Sequence, residues 1–398
     1  MRENMIVKRL LQNNINICYT CEKLPNTVTR SIFLAGPCPR NSETESWRPQ
    51  VIQYLKSINW SGTIYYPENG SVTDYSIEER INWEQSALNR ADIILFWIPR
   101  DLTVDSTGQA KMLALTTNIE FGLYLHSNKI VVGGNQVNNE YIEYSCKQQQ
   151  IPFFTDLNQA IQHMVNILAD GAIRHDGECS VPLFIWNHPE FINWYKSLKA
   201  AGNTLINLEN IFSFIMPIAK KLFMWICKVK IYVAKENRIK ENEFVVSRTN
   251  TAAAVLYYKD NNDINIVLVK EFRSPVNNDE GFVYDLPSGS SDNPQLAINT
   301  VINEVKEETG FNMNPLKVKA IQSRQTVSTL LANKVHAYKY QLDDIEFNEI
   351  KQLANTMHGN IEATEQTYIE IKTINDILEN NLVDWNNLGI ILSAIKEG

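Results

Sequence analysis

The chain is predicted to fold as two α/β domains, a doubly wound parallel sheet followed by a mixed sheet sandwiched between helices. Three observations predict this. Its 398 residues exceed one average domain. Between residues 30 and 169 short apolar runs alternate with helical patterns, as parallel βαβ units do. Between 229 and 398 strand patterns flank one acidic helix on both sides. An apolar fraction of 44% suffices for two full cores.

Residues 1–29 read as an N-terminal extension. Met1 to Asn13 is amphipathic and basic, without the apolar core of a signal peptide. Cys18 and Cys21 have no second pair at zinc-finger spacing, so they read as free thiols and the chain as cytoplasmic. The first domain, 30–176, opens with a buried strand at Ser31 to Ala35, ended by Gly36-Pro37. Then follow a helix from Trp47 to Ile58, a strand from Thr63 to Tyr66, a helix from Ser76 to Arg90 and a strand from Asp92 to Ile98. A helix from Thr116 to His126, a strand from Lys129 to Val132 and a helix from Leu157 to Ala169 complete it. This order suits a Rossmann- or flavodoxin-like sheet, in which ligands bind beyond the C-terminal strand ends. Those ends carry Gly36 to Arg40, Pro67, Trp97 to Arg100 and Gly133-Gly134-Asn135.

Residues 177–228 read as a helical connector. Its apolar stretch, Ile211 to Cys227, is broken by Pro217 and Lys220-Lys221, short of the roughly 18 apolar residues of a membrane span. A membrane role is therefore not expected, although an interfacial helix stays open there. The second domain, 229–398, has strands at Val229 to Ala234, Phe244 to Arg248, Ala252 to Tyr258 and Ile264 to Glu271, with a hairpin turn at Asn261-Asn262-Asp263. Leu316 to Gln322, Lys334 to Gln341 and Thr367 to Ile371 extend the sheet, and Leu382 to Lys396 is a closing helix.

The acidic helix carries the densest chemistry. Asp292-Asn293 offers an N-cap, Pro294 suits the first helical position and Gly310 the left-handed stop. Ile298, Val301, Ile302 and Val305 form its apolar stripe. Glu304, Glu307 and Glu308 fall at i, i+3 and i+4, on another face of the same helix. Taken alone, such a run is either a solvated face or a site for Mg²⁺ or Mn²⁺, which take oxygen ligands. The preceding residues favour the site. From Leu286-Pro287-Ser288-Gly289 the order is five residues, Gln295, seven residues, then Asn303-Glu304-Val305-Lys306-Glu307-Glu308-Thr309-Gly310-Phe311. This resembles the Nudix box with its spacing intact. Gln295 and Asn303 replace a Glu and an Arg that pair in the family. The resemblance implies a Nudix α/β/α sandwich with Ser288, Glu304, Glu307 and Glu308 at the metal and Glu308 also catalytic. Lys270-Glu271-Phe272-Arg273 resembles a segment of the ADP-ribose and nucleoside-diphosphate-sugar pyrophosphatases, so Arg273 becomes a candidate for substrate phosphate. That subclass has a further catalytic glutamate in a late loop. Glu362 or Glu365 is the candidate, against the alternative of an exposed acidic loop.

In the first domain Glu84 and Glu120 lie on successive helices around the Asp92 strand. With the Gly36-Pro37-Cys38-Pro39-Arg40 loop they resemble the nucleoside 2-deoxyribosyltransferase-like family over roughly Ser31 to Ala169. Cleaving an N-glycosidic bond builds positive charge on the sugar, which a carboxylate can stabilise or trap covalently. The resemblance gives Glu120 that role, Glu84 the role of acid to the leaving base, and Gly36 and Arg40 the binding of substrate and its 5′-phosphate. Asp92 opens its strand and reads as structural. The expected ligands are nucleotide or nucleoside-diphosphate small molecules, and a homodimer stays open. A net charge of −8 argues against nucleic acid. Two functions stand side by side for the first domain: base cleavage or transfer, and nucleotide sensing without chemistry on behalf of the Nudix half.

Overall fold

The computed structural model describes residues 14–39, 44–68, 75–106, 108, 110–216, 221–260, 263–291, 296–354, 356–359 and 366–396. The chain forms two compact units, Met1–Val246 and Ser247–Gly398.

In the first unit the strands are β1 (Ile15–Tyr19), β2 (Thr27–Val28), β3 (Ser31–Ala35), β4 (Gly62–Tyr66), β5 (Ile93–Ile98), β6 (Asp101–Val104), β7 (Ala110–Met112), β8 (Ile130–Gly134), β9 (Phe153–Phe154) and β10 (Arg174–His175). The helices are α1 (Arg48–Ser57), α2 (Ile77–Arg90), α3 (Leu115–Tyr124), α4 (Glu140–Gln148) and α5 (Leu157–Leu168). A six-stranded sheet runs β1-β4-β3-β5-β8-β9, every neighbouring pair parallel. Apolar side chains of α2, α3 and α4 pack on one face of it and those of α1 and α5 on the other. All six residues of β5 are buried, as a strand covered on both faces requires. Ser76 caps α2 reciprocally with Glu79, which fixes where that helix starts. The doubly wound fold is as predicted, but the sheet starts before residue 30. Ile15–Tyr19, assigned to an extension, is its edge strand. The short α4 also went unread.

Residues 177–228 are only partly helical, which corrects the sequence reading. After α6 (Leu183–Trp186) and α7 (Pro189–Ala200) come two long strands, β11 (Thr204–Met216) and β12 (Lys221–Val233), paired antiparallel and joined by β13 (Arg238–Arg248) in a three-stranded sheet. Trp225, Cys227 and Val229 are buried at every second position, a period of two and not of 3.6. Val229 to Ala234 thus belongs with the first unit. Among the described residues no helix is long and apolar enough to cross a membrane.

The second unit contains β14 (Thr251–Lys259), β15 (Ile264–Phe272), β16 (Phe282–Asp285), β17 (Ser288–Ser290), β18 (Lys319–Ala320), β19 (Arg324–Gln325), β20 (Lys334–Gln341), β21 (Met357–His358) and β22 (Thr367–Thr373). Its helices are α8 (Ala297–Thr309), α9 (Asp344–Leu353), α10 (Ile374–Glu379) and α11 (Trp385–Lys396). β14 pairs parallel with β20 and antiparallel with β15, so the sheet is mixed. Along β14, Ala252, Ala254 and Leu256 meet α8 and α9 while Ala253, Val255 and Tyr257 meet α10 and α11. That alternation makes an α/β/α sandwich. The acidic helix starts later than its expected cap. Leu296 occupies the N-cap, and 292–295, Gln295 included, lie outside the described residues. Gly310 ends it in the left-handed conformation, φ 72°.

Asp92, which precedes β5, holds the lower end of the first sheet together. It accepts from the amide and hydroxyl of Ser31 at 2.8 and 3.0 Å, from two nitrogens of Arg174 at 2.6 Å each, and from the amide of Leu183 at 2.9 Å. Both side chains of the Asp92–Arg174 pair are fully buried. Breaking such a pair strands a buried charge, so Asp92→Asn should cost about 3–5 kcal/mol. Adding Arg174→Met should cost far less than the two single losses combined. Urea melts of the four proteins give the coupling, and simple additivity would contradict it.

Candidate active sites

The first candidate site grows out of the topology. β3 and β5 are neighbours, but the chain leaves β3 toward β4 on one side and reaches β5 on the other. That reversal opens a crevice at their C-terminal ends. A cleft of about 250 Å³ lies there, lined by Ala35 to Pro39 after β3, Pro67 after β4, Glu84 of α2, and Glu120 of α3. Gly36 is required by close approach, since a Cβ there would sit 2.2 Å from the Trp97 carbonyl oxygen.

The structure therefore brings Gly36, Glu84 and Glu120 together, as the sequence suggested. Arg40 lies outside the described residues. The cleft's cation is Arg48, which the sequence reading passed over. It is fully buried at the start of α1 and donates to the carbonyls of Leu34 at 2.9 Å, Gly36 at 2.7 Å and Pro37 at 3.4 Å. It also pairs with Glu68. One guanidinium thus fixes the shape of the loop after β3 while placing a positive charge at the cleft. Burial pushes the Glu120 carboxyl up to about 7, the Glu84 charge adds to the rise, and Arg48 opposes it. Glu84 is also raised by burial, against Arg48 and Arg80. Glu120 thus keeps its proton up to about pH 7, with the Glu84 carboxylate beside it.

The second candidate site lies along the C-terminal half of the acidic helix. Gly289 of β17 presses against Glu304, and a Cβ there would meet the carboxylate at 1.8 Å. The Ser288 amide donates to Glu308 Oε2 at 3.0 Å. Burial pushes Glu308 up to about 9; that amide lowers it, and the charges of Glu304, Glu271 and Asp285 raise it. Among the described residues no group of three or more His, Cys, Asp or Glu side chains is disposed to hold a metal ion. The expected convergence of Glu304, Glu307 and Glu308 is thus not formed. Glu307 is exposed, about 100° round the helix from Glu308, while Glu304 and Glu308 are only about 40° apart. The chemistry of the remaining set does suit a hard divalent cation: carboxylate oxygens only, with Glu304 and Glu308 crowded by like charge.

Arg273 is half exposed and donates to the buried Glu271 from Nε at 2.6 Å. Arg248, unread in the sequence, reaches the Ser290 hydroxyl at 3.0 Å and feels the Arg273 charge. Two guanidiniums therefore stand beside the carboxylates. Asp285, also unread, is raised by burial and accepts from Asn387 at 2.7 Å. Glu362 and Glu365 lie outside the described residues.

Residues 29–136 match the family model described as nucleoside 2-deoxyribosyltransferase like, so both carboxylates of the first cleft lie within a domain of that kind. No curated protein matches the chain. A solved structure described as an ADP compounds hydrolase aligns with 49% of this chain and 92% of its own, at 14% identity and a TM-score of 0.33.

The Glu308 environment makes a stability prediction. The folded carboxyl keeps its proton until about pH 9, whereas the unfolded one releases it near 4.5. Between those values the unfolded chain binds fewer protons, so stability falls as pH rises. In EDTA, urea melts of the second unit's transition should show this decline from pH 5 to 9. Glu308→Gln should flatten it and be the more stable protein at the alkaline end. Parallel pH profiles would contradict the assignment.

Proposed function

We propose that the first unit cleaves or transfers the base of a nucleoside, deoxynucleoside or 5′-monophosphate, and that the second hydrolyses the pyrophosphate of a nucleoside diphosphate linked to another group, ADP-ribose-like compounds first. The observation that carries the first half is the shared, desolvated cleft of Glu84 and Glu120 at the sheet's switch point. A proton kept on Glu120 up to about pH 7, beside a second carboxyl, meets the needs of glycosidic cleavage, which calls for one acid and one carboxylate. Glu84 would give its proton to the leaving base. Glu120 would lie beneath the anomeric carbon and become the charged partner as the sugar turns cationic. In a cleft partly shielded from water that charge is stronger than it would be at the surface. Arg48 would keep the loop after β3 in place for the sugar phosphate.

For the second unit the reading rests on the intact spacing of Gly289, Glu304 and Glu308 and on the like-charged carboxylates around them. Glu304 and Glu308 would hold Mg²⁺ or Mn²⁺, with Ser288 as a further donor. When bound, the ion polarises a phosphoryl oxygen and lowers the pKa of water. Arg248 and Arg273 would bind the pyrophosphate oxygens.

Base release from deoxynucleosides and deoxynucleoside 5′-monophosphates tests the first half. Glu120→Gln should lower it by at least about 100-fold and spare pyrophosphatase activity with Mg²⁺. In the free cleft Glu120 holds the proton that the leaving base needs, so kcat/KM should fall as pH rises through about 7. Glu84→Gln removes a charge that raises the Glu120 pKa and blocks passage of that proton, so its residual activity should instead rise with pH, from below about 7. A wild-type profile that rises through pH 7 would contradict a proton passed from Glu120 to Glu84. Intact base release in Glu120→Gln would discard the site.

A further inference from the structure

A second cavity, of about 1260 Å³, lies at the other end of the same parallel sheet. Thr29 and Arg30 enter β3 there, Ser61 precedes β4, and Asp170 follows α5, so these are N-terminal strand ends, opposite the Glu84–Glu120 cleft. Small-molecule pockets run to roughly 300–1,000 Å³, and this one exceeds them. One wall is a face of α7, where Ile192, Tyr195, Lys196 and Lys199 recur at helical spacing.

We propose that this cavity binds a nucleotide, its base against Trp186 and Tyr195 and its phosphates against Lys196 and Arg30. The aromatic surface is already fixed. The Trp186 and Tyr195 rings lie 5.4 Å apart, and Phe191 stacks on Tyr195 at 5.9 Å and 16°. The Tyr195 hydroxyl is held by Glu178. Both rings remain partly accessible, a setting suited to a planar heterocycle.

The charges select an anion. Glu178 is occupied by Tyr195 and by Lys199 at 3.3 Å. Lys196 is exposed and has no ionic partner among the described residues. Arg30 gives its donors to neutral acceptors, the Ser61 carbonyl at 2.6 Å and the Ala169 carbonyl, so no bonded carboxylate cancels its charge. Arg30, Lys196 and Lys199 face Asp170 and Glu178, an excess of cations in a chain of net charge −8. An aromatic wall with surplus cations fits a base carrying phosphate better than a bare anion or an apolar molecule. The site does not depend on the catalytic reading of either carboxylate cluster.

Photolabelling of the full chain by 8-azido-ADP in EDTA, followed by peptide mapping, tests this. An adduct within residues 186–199 is expected, competed by ADP and not by inorganic pyrophosphate at equal concentration. Lys196→Glu changes an exposed side chain and should cut that adduct roughly tenfold, with labelling at residues 33–48 and 271–308 unchanged. No adduct in 186–199, or labelling indifferent to Lys196→Glu, overturns the site. Competition by pyrophosphate equal to that by ADP overturns the nucleotide and leaves an anion site.

Discussion

A carboxylate removed from water must find donors or keep a proton, and this constraint sorts the acidic residues of the chain. Asp92 found donors. Two backbone-linked groups of Ser31, two guanidinium nitrogens and the Leu183 amide surround it, and the start of β3, the start of β5, β10 and α6 are tied through one side chain. Glu120 and Glu308 are half-buried with too little compensation, and their carboxyls are pushed up to about 7 and about 9. Stability alone does not account for such groups, because a neutral side chain of similar size would pack there at lower cost.

The parallel sheet follows the same logic of burial. Its central strands are buried on both faces, so the buried charges that organise the sheet lie at its two ends. The lower end is tied by the Asp92–Arg174 pair. At the upper end Arg48 is the organising group, since its donors hold the carbonyls of Leu34, Gly36 and Pro37. Residues 36 and 37 are thus held in place without secondary structure, and Gly36 can lie against the Trp97 backbone because it has no Cβ.

Much of this was legible in the sequence. The apolar runs ended by Gly36-Pro37, Pro67 and Pro99 gave three strands and the site's location, and the spacing of Glu84 and Glu120 around the Asp92 strand pointed to the cleft. Arg48 was not legible, because an arginine at a helix start looks the same whether it is solvated or sealed. Only the fold brings the three carbonyls to it. The β11–β12 hairpin was misread for another reason. The apolar content of Ile211 to Cys227 suits a helix and a strand alike, whereas the two-residue period of Trp225, Cys227 and Val229 belongs to a strand. Glu307 shows the limit of spacing arguments. Positions i, i+3 and i+4 share a face broadly, yet i+3 and i+4 are still about 100° apart, enough for one to be solvated and the other half-buried.

Protonation could not be read from sequence at all, because it depends on how deeply each carboxylate lies and on what faces it. Residue identity makes Glu84 and Glu120 equivalent acids. Their surroundings do not: Glu84 feels both Arg48 and Arg80, whereas Glu120 feels Arg48 and the charge of Glu84. Glu84 therefore ionises more readily in the empty cleft, the reverse of what an acid at Glu84 and a carboxylate at Glu120 require. A developing sugar cation over Glu120 would restore the needed order, since a positive charge at contact favours the ionised form of the nearest carboxylate. On that account the proton would move within the pair as a glycosidic bond stretched, and the cleft would be matched to the charge of the transition state and not to that of the free protein.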